Sequence, residues 1–266
     1  MNVARGSCRW NLPVLWAAVA AALLWQAGLA HARSLDAIRG RGFLNLCAHP
    51  NSLPFASKAG DPPGFQIEFG RALATELGVT LATEWIVVPS QIFRTDCDIV
   101  LDTIADPEAQ ADSGLQISKP YYRAGVALAV PQGSAITSFA SLNDRTKVGV
   151  QVGSLAAMIL NRRHVPTSTF GFEEEMLSAL AAGEIDAAAV TPLSVGYYNV
   201  THPSQAFAIL PPDEVEGSLV WNEAVGMRQP DDKLRDAIGV ALDRLHAAGI
   251  IEKIYAKYGI TLAPPR

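Results

Sequence analysis

From Leu44 to its end the chain alternates strand and helix signals, in two blocks separated by Pro131-Gln132-Gly133-Ser134. This pattern restricts the fold most, because strands that alternate with helices build sheets with parallel neighbours, each reached by a helical crossover. In the first block, strands are predicted over 44–48, 79–88, 98–104 and 126–130. Phe65, Phe69, Ala72, Leu73 and Leu77 recur at helical spacing between the first two, and Gly78 ends that helix. The second block predicts a strand over 147–152, a helix opening at Gly153-Ser154, and a helix over 174–182 with Met176, Leu177 and Leu180 inward. A strand over 185–190 follows, then one over 224–227. Two terminal helices are marked by Leu234, Ile238, Leu242 and Leu245 and by Ile250, Ile254 and Tyr258. No solenoid period and no low-complexity segment interrupts the series.

Residues 1–32 read as an export signal. Arg5 and Arg9 form a positive start, an apolar run of about a dozen residues follows from Val14, and Ala30-His31-Ala32 fits a small-x-small cleavage site. The run falls short of the ~20 residues that a membrane-spanning helix needs, so cleavage near Arg33 and a periplasmic, uninserted protein are expected. Loss of the two arginines moves the formal charge from −5 to −7. An acidic chain without basic clusters argues against nucleic acid or an anionic membrane as partner. About 234 residues remain, enough for two lobes of roughly 100 residues each or one large domain.

Cys8 leaves with the signal, which keeps Cys47 and Cys97. In an oxidising compartment two cysteines read as one disulfide, and each stands beside a predicted strand; two buried free thiols are the alternative. No CxxC pair supports redox catalysis. The run from Gly42 to Phe55 ends a short apolar strand in a turn cluster, His49-Pro50-Asn51-Ser52, and then presents Leu53-Pro54-Phe55. That is how an α/β protein brings a buried strand to a ligand crevice. His49 in that turn either meets a ligand or hydrogen-bonds the backbone.

Nucleotide, phosphate, zinc-protease and hydrolase motifs are absent, and His49, His164, His202 and His246 lack metal-ligand spacing. No catalytic residue, metal site or cofactor is expected.

Taken together, Ser34-Leu35-Asp36-Ala37-Ile38-Arg39, Pro54-Phe55 with Gly64-Phe65, Ser118-Lys119-Pro120-Tyr121-Tyr122, 148–154 and Gly183-Glu184-Ile185-Asp186-Ala187 resemble the periplasmic solute-binding proteins of family 3. These are the amino-acid-type receptors of ABC importers. The resemblance implies a two-lobed α/β periplasmic binding protein (type II), with two parallel-type sheets joined by two hinge strands near 123–126 and 222–226. Lobe 1 would take 34–124 plus 226–266, and lobe 2 would take 126–223. The protein would be a monomer that closes on a small-molecule ligand in the interlobe cleft.

Departures from that pattern bear on the ligand. Amino-acid receptors of the family hold the α-carboxylate with an arginine after the third strand; here that stretch is Asp106-Pro107-Glu108-Ala109-Gln110-Ala111-Asp112, and no Arg or Lys lies between Arg94 and Lys119. The aspartate that pairs with the α-amino group falls at or near Thr191. Asp102, Asp106, Glu108 and Asp112 are either solvated loop carboxylates or a site for a cationic or hydroxylated ligand. A narrower resemblance comes from Leu46-Cys47-Ala48-His49-Pro50-Asn51-Ser52-Leu53-Pro54-Phe55 and Cys97-Asp98-Ile99-Val100. These look like the branch associated with quinoprotein dehydrogenases, including the J accessory proteins of methanol oxidation. Against that branch His49 replaces an aspartate and Asp102 a common glycine.

Three functions follow as expectations. The first is a non-enzymatic accessory protein of a PQQ-dependent dehydrogenase. The second is an importer receptor, partnered by an ABC permease, for a small polar solute other than an amino acid. The third is a dehydratase on the same fold. Candidate ligand contacts are His49, Asn51, Phe55, Asp102, Gln151, Ser154 and Thr191, with Phe55 as plain core the alternative for that residue.

Overall fold

A computed structural model describes residues 33–212 and 219–266. The expected signal over 1–32 lies outside the described residues. Ser34 caps helix α1 (Leu35–Arg41) by accepting from the Ala37 amide at 3.1 Å, and Gly42 at φ 83° ends it. Strand β1 (Phe43–Ala48) follows directly, all but its first residue buried. A short hairpin of β2 (Asn51–Ser52) and β3 (Ala56–Ser57) then leads into α2 (Phe65–Glu76). Its apolar face, Phe65, Phe69 and Leu73, is fully buried, which stabilises by about 1.5–3 kcal/mol per side chain.

The chain continues through β4 (Thr80–Trp85), β5 (Ile99–Ile104), β6 (Leu115–Ile117) and β7 (Tyr122–Gly125). The first sheet has the order β4-β1-β5 followed by β13 (Val220–Arg228) and β6, with β7 also pairing β13. β4, β1 and β5 run parallel, whereas β13 is antiparallel to β5, β6 and β7. Helices α1 and α2, together with α6 (Asp232–Ala247) and α7 (Ile250–Ala256), supply most of the core packed on this sheet.

The second sheet has the order β10-β9-β11-β8-β12. Here β9 (Val148–Gln151), β10 (Thr167–Phe170) and β11 (Ala187–Val190) are parallel, while β8 (Ala127–Pro131) and β12 (Phe207–Leu210) join antiparallel. Separate apolar clusters cover its two faces, with α3 (Leu155–Arg162) contributing to one and α4 (Glu173–Ala181) with α5 (Pro192–Thr201) to the other. The result is the two-lobed binding-protein architecture. Both sheets are mixed, because the strands that carry the chain between lobes and back enter antiparallel to a parallel core. The chain passes out through β7 and β8 and returns through β13, which pairs with β7. Nearby, α5 leans on the end of α7. A Cβ on Gly196 would stand 2.6 Å from the Gly259 carbonyl oxygen, so glycine is what allows that approach.

Candidate functional site

The turn after β1 is held by its backbone. The amides of Phe65 and Gln66 at the start of α2 donate to the carbonyl oxygens of Pro54 and Phe55, each at 2.9 Å. Gly64, at φ 92°, permits this: a Cβ there would lie 2.4 Å from the Phe55 carbonyl oxygen. Phe55 therefore projects at a fixed angle, its ring 5.0 Å from that of Phe65. The two readings of Phe55 meet in one residue, which packs on the core and also lines a cleft.

That cleft, about 640 Å³, is walled on one side by His49, Asn51, Phe55, Gln66 and Val88 and on the other by Gln151, Phe172, Glu173 and Thr191. Five of the seven candidates are thereby brought together: His49, Asn51, Phe55, Gln151 and Thr191. His49 Nδ1 accepts the Asn51 amide at 3.1 Å, so it is a turn residue and a cleft residue at once. Its ring also meets Phe172 from the opposite wall. Gln151 donates to the Gly171 carbonyl at 3.2 Å.

The other two candidates lie elsewhere. Ser154 is the N-cap of α3, where its hydroxyl accepts the Ala157 amide at 3.2 Å, and it does not line the cleft. Asp102 sits within β5 at φ 53°, the left-handed region that glycine favours, and its side chain lies behind the cleft wall. Oδ1 accepts from the hydroxyls of Tyr121 at 2.7 Å, Tyr122 at 3.0 Å and Tyr255 at 3.3 Å. Oδ2 accepts from the Gln66 side chain at 2.6 Å, so Asp102 reaches the cleft only through Gln66. Burial raises its carboxyl above the ordinary aspartate range, partly offset by these bonds. Asp106, Glu108 and Asp112 are exposed and line no part of the cleft; Asp106 holds its own loop by accepting the Glu108 amide at 2.9 Å.

The charge in the cleft comes instead from the head of α4. Glu173 Oε1 accepts the Thr191 amide at 2.8 Å, and Oε2 accepts the Thr191 hydroxyl at 2.7 Å and the Ser194 hydroxyl. Thr191, the N-cap of α5, thus presents a carboxylate from the neighbouring helix. Glu174 and Glu175, which follow Glu173 in the helix, also line the cleft. Among the described residues lining the cleft there is no lysine or arginine. Such a surface attracts cations and hydrogen-bond donors and repels carboxylates. An acidic run opening a helix reads from sequence as ordinary dipole complement, so 173–175 carries no sequence signal of a site.

The expected bond between Cys47 and Cys97 is present, with Cα atoms 5.4 Å apart, and β1 and β5 are the parallel neighbours that permit it. Cys47 forms part of the cleft wall. Among the described residues, none gather as three or more His, Cys, Asp or Glu able to hold a metal ion, and no helix is long and apolar enough to cross a membrane.

Comparison with known proteins adds to this geometry. The family model of the bacterial extracellular solute-binding proteins, family 3, matches residues 44–261. A probable histidine-binding protein of Neisseria gonorrhoeae is 24 % identical over 218 residues, covering 77 % of this chain and 78 % of its own. The fold is shared with an ancestral cationic amino acid solute-binding protein, at TM-score 0.73 and 24 % identity over 85 % of this chain and 99 % of that one. It is also shared with the periplasmic binding protein XoxJ of Methylobacterium extorquens AM1, at TM-score 0.66 and 19 % identity over 82 % and 98 %.

Proposed function

The chain belongs to the bacterial extracellular solute-binding proteins of family 3, and on that premise we propose that it is a non-enzymatic periplasmic binding protein for a small cationic or neutral polar solute without a carboxylate. The observation that carries this is the composition of the cleft: three glutamates face it, and none of its described lining residues is a lysine or arginine. A carboxylate ligand entering it would lose its hydration without gaining a cationic partner. A protonated amine would pair with Glu173, already held by Thr191 and Ser194, and a hydroxyl could donate to the same oxygens. The strands β7 and β13 would serve as the hinges for closure. No general acid or base in the cleft stands beside a cationic anchor, which weighs against the dehydratase alternative.

Two settings accommodate such a protein. The run from Leu46 to Phe55, with its Cys47 bonded to Cys97, favours the accessory role beside a quinoprotein dehydrogenase, supported by the likeness to XoxJ. Delivery to an ABC permease is the alternative. Thermal denaturation across a panel of amines, polyols, amino acids and organic acids tests the binding claim, because a ligand of the folded state raises Tm by mass action. Stabilisation by amines or polyols is expected; stabilisation confined to carboxylates would refute it. Affinity capture from a methanol-grown host then separates the settings by whether a quinoprotein or a permease is retained.

A further inference from the structure

Behind the cleft, beyond Phe55 and Thr191, lies a second cavity of about 130 Å³. Phe55, Tyr122, Trp221 and Glu223 line it, with Leu193 and Leu262 among the apolar remainder. Glu223 lies opposite Tyr122 in the β7–β13 register, and Trp221 is two residues earlier on the same strand, so the three side chains share one face of the sheet. Glu223 is only 6 % exposed. Its Oε1 accepts the Trp221 indole N–H at 2.6 Å, while Oε2 is buried with no hydrogen-bond partner among the described residues. A buried carboxyl oxygen without a partner is costly in either protonation state, and native proteins retain few of them.

The surroundings say what would satisfy it. Asp102 accepts from Tyr122 and supplies the like charge that acts on Glu223. The groups facing this region are Asp102 on β5, Tyr121 and Tyr122 around the start of β7, and Tyr255 on α7. Arg123 also lines the cavity. It stands one residue from Tyr122, so its side chain leaves the opposite face of the strand. Burial, reinforced by Asp102, pushes Glu223 up to about 8. Calcium or magnesium would require about six oxygen ligands and zinc several His, Cys or carboxylate ligands, whereas the cavity lining offers one carboxylate and no His or Cys. One carboxylate beside aromatic rings is instead the chemistry that recognises an alkylammonium ion. The volume equals about four waters at ~30 Å³ each, room for only a few heavy atoms.

We infer that this cavity is a binding site for a small organic ammonium ion, whose charge pairs with Glu223 and whose alkyl groups are enclosed by Phe55, Tyr122 and Trp221. The site does not depend on the reading of the cleft. When the ammonium enters, any proton that the raised Glu223 carboxyl holds leaves to solvent and an ion pair forms, with no other bond made or broken.

Calorimetric titration of the full protein with methylammonium and tetramethylammonium chlorides tests the site, with potassium chloride and ethanol as controls. Each titration is run at pH 6.5 and 8.5, in two buffers of different ionisation enthalpy. Saturable one-to-one uptake of an ammonium probe is expected, roughly tenfold or more tighter at pH 8.5, with close to one proton released at pH 6.5. Glu223→Gln should weaken it at least about tenfold and abolish the proton release. Asp106→Asn, an exposed loop change outside both cavities, should leave it intact. The inference is overturned by no saturation, by an equal response to potassium or ethanol, by binding that does not depend on pH, or by uptake that survives Glu223→Gln. If that variant does not fold, Trp221→Leu takes its place, because Trp221 lines this cavity and not the cleft: uptake weakened several-fold is expected, and unchanged uptake overturns the inference.

Discussion

His49 and Phe172 face one another across the cleft, ring centroids 5.9 Å apart and planes inclined at 54°. One follows β1, the other precedes α4, so this contact joins the walls contributed by the two sheets. An aromatic contact of this kind contributes about 0.5–1.5 kcal/mol. His49→Ala and Phe172→Ala should each shift the unliganded protein toward an open form. Small-angle scattering should then give a larger radius of gyration, and ligand affinity should fall by up to about tenfold. Unchanged scattering, with the two substitutions additive in a double-mutant cycle, would show that the contact does not hold the lobes.

The Cys47–Cys97 bond spans 50 residues of sequence and ties β1 to the start of β5. In the chain-entropy account a loop of that length contributes up to about 4 kcal/mol. Urea denaturation of a Cys47→Ala/Cys97→Ala variant should therefore show a much lower midpoint than the oxidised parent. The parent treated with reductant should move the same way. Coincident midpoints would contradict this.

Gly64 sets the angle of Phe55. Gly64→Ala would place a Cβ against the Phe55 carbonyl at a φ of 92°, and relief requires α2 and the turn to separate. A loss of about 2 kcal/mol or more is expected, together with weaker ligand binding, since Phe55 lines the cleft. A variant with parental Tm and affinity would show that the turn tolerates the shift.

Glu223 sits near 8 in the folded protein against an ordinary 4.5, so the folded state holds its proton more tightly than the unfolded chain does. Its contribution is fully present below pH 4.5 and is lost as pH rises through 8. The raised carboxyl of Asp102 acts in the same direction. Glu223→Gln should flatten, without abolishing, the decline in Tm between pH 5 and 8.5, and should exceed parental stability at pH 9 by roughly 2 kcal/mol. A parallel decline in both proteins would place the titration elsewhere.

Much of this architecture is readable before any coordinates, and the limits have physical causes. The run 44–48 is wholly apolar except for Asn45, and 187–190 is Ala-Ala-Ala-Val; both read as buried strands because both faces are covered. The short strands β6, β10 and β12 and the helix α5 escaped notice, because three or four residues carry no measurable period and α5 begins at a proline. Among the candidate residues, those of the β1 turn line the cleft, as the chain direction there leads one to expect. Asp102, at a left-handed φ, is held by Gln66 and three tyrosines and does not line the cleft, a placement that a strand period of two does not foresee. Ser154 caps α3 and does not line the cleft; capping and ligand binding call for the same residue at a helix start. Glu223 went unmarked because a strand carboxylate looks solvent-facing until its neighbours Tyr122 and Trp221 are known to bury it.

The central claim is that the cleft selects against a carboxylate. Isothermal titration with matched pairs that differ only by that group tests it most directly: histamine against histidine, cadaverine against lysine, agmatine against arginine. Tighter binding of the amine in a pair, lost in Glu173→Gln, is the predicted result. Equal or tighter binding of the amino acid would contradict the account.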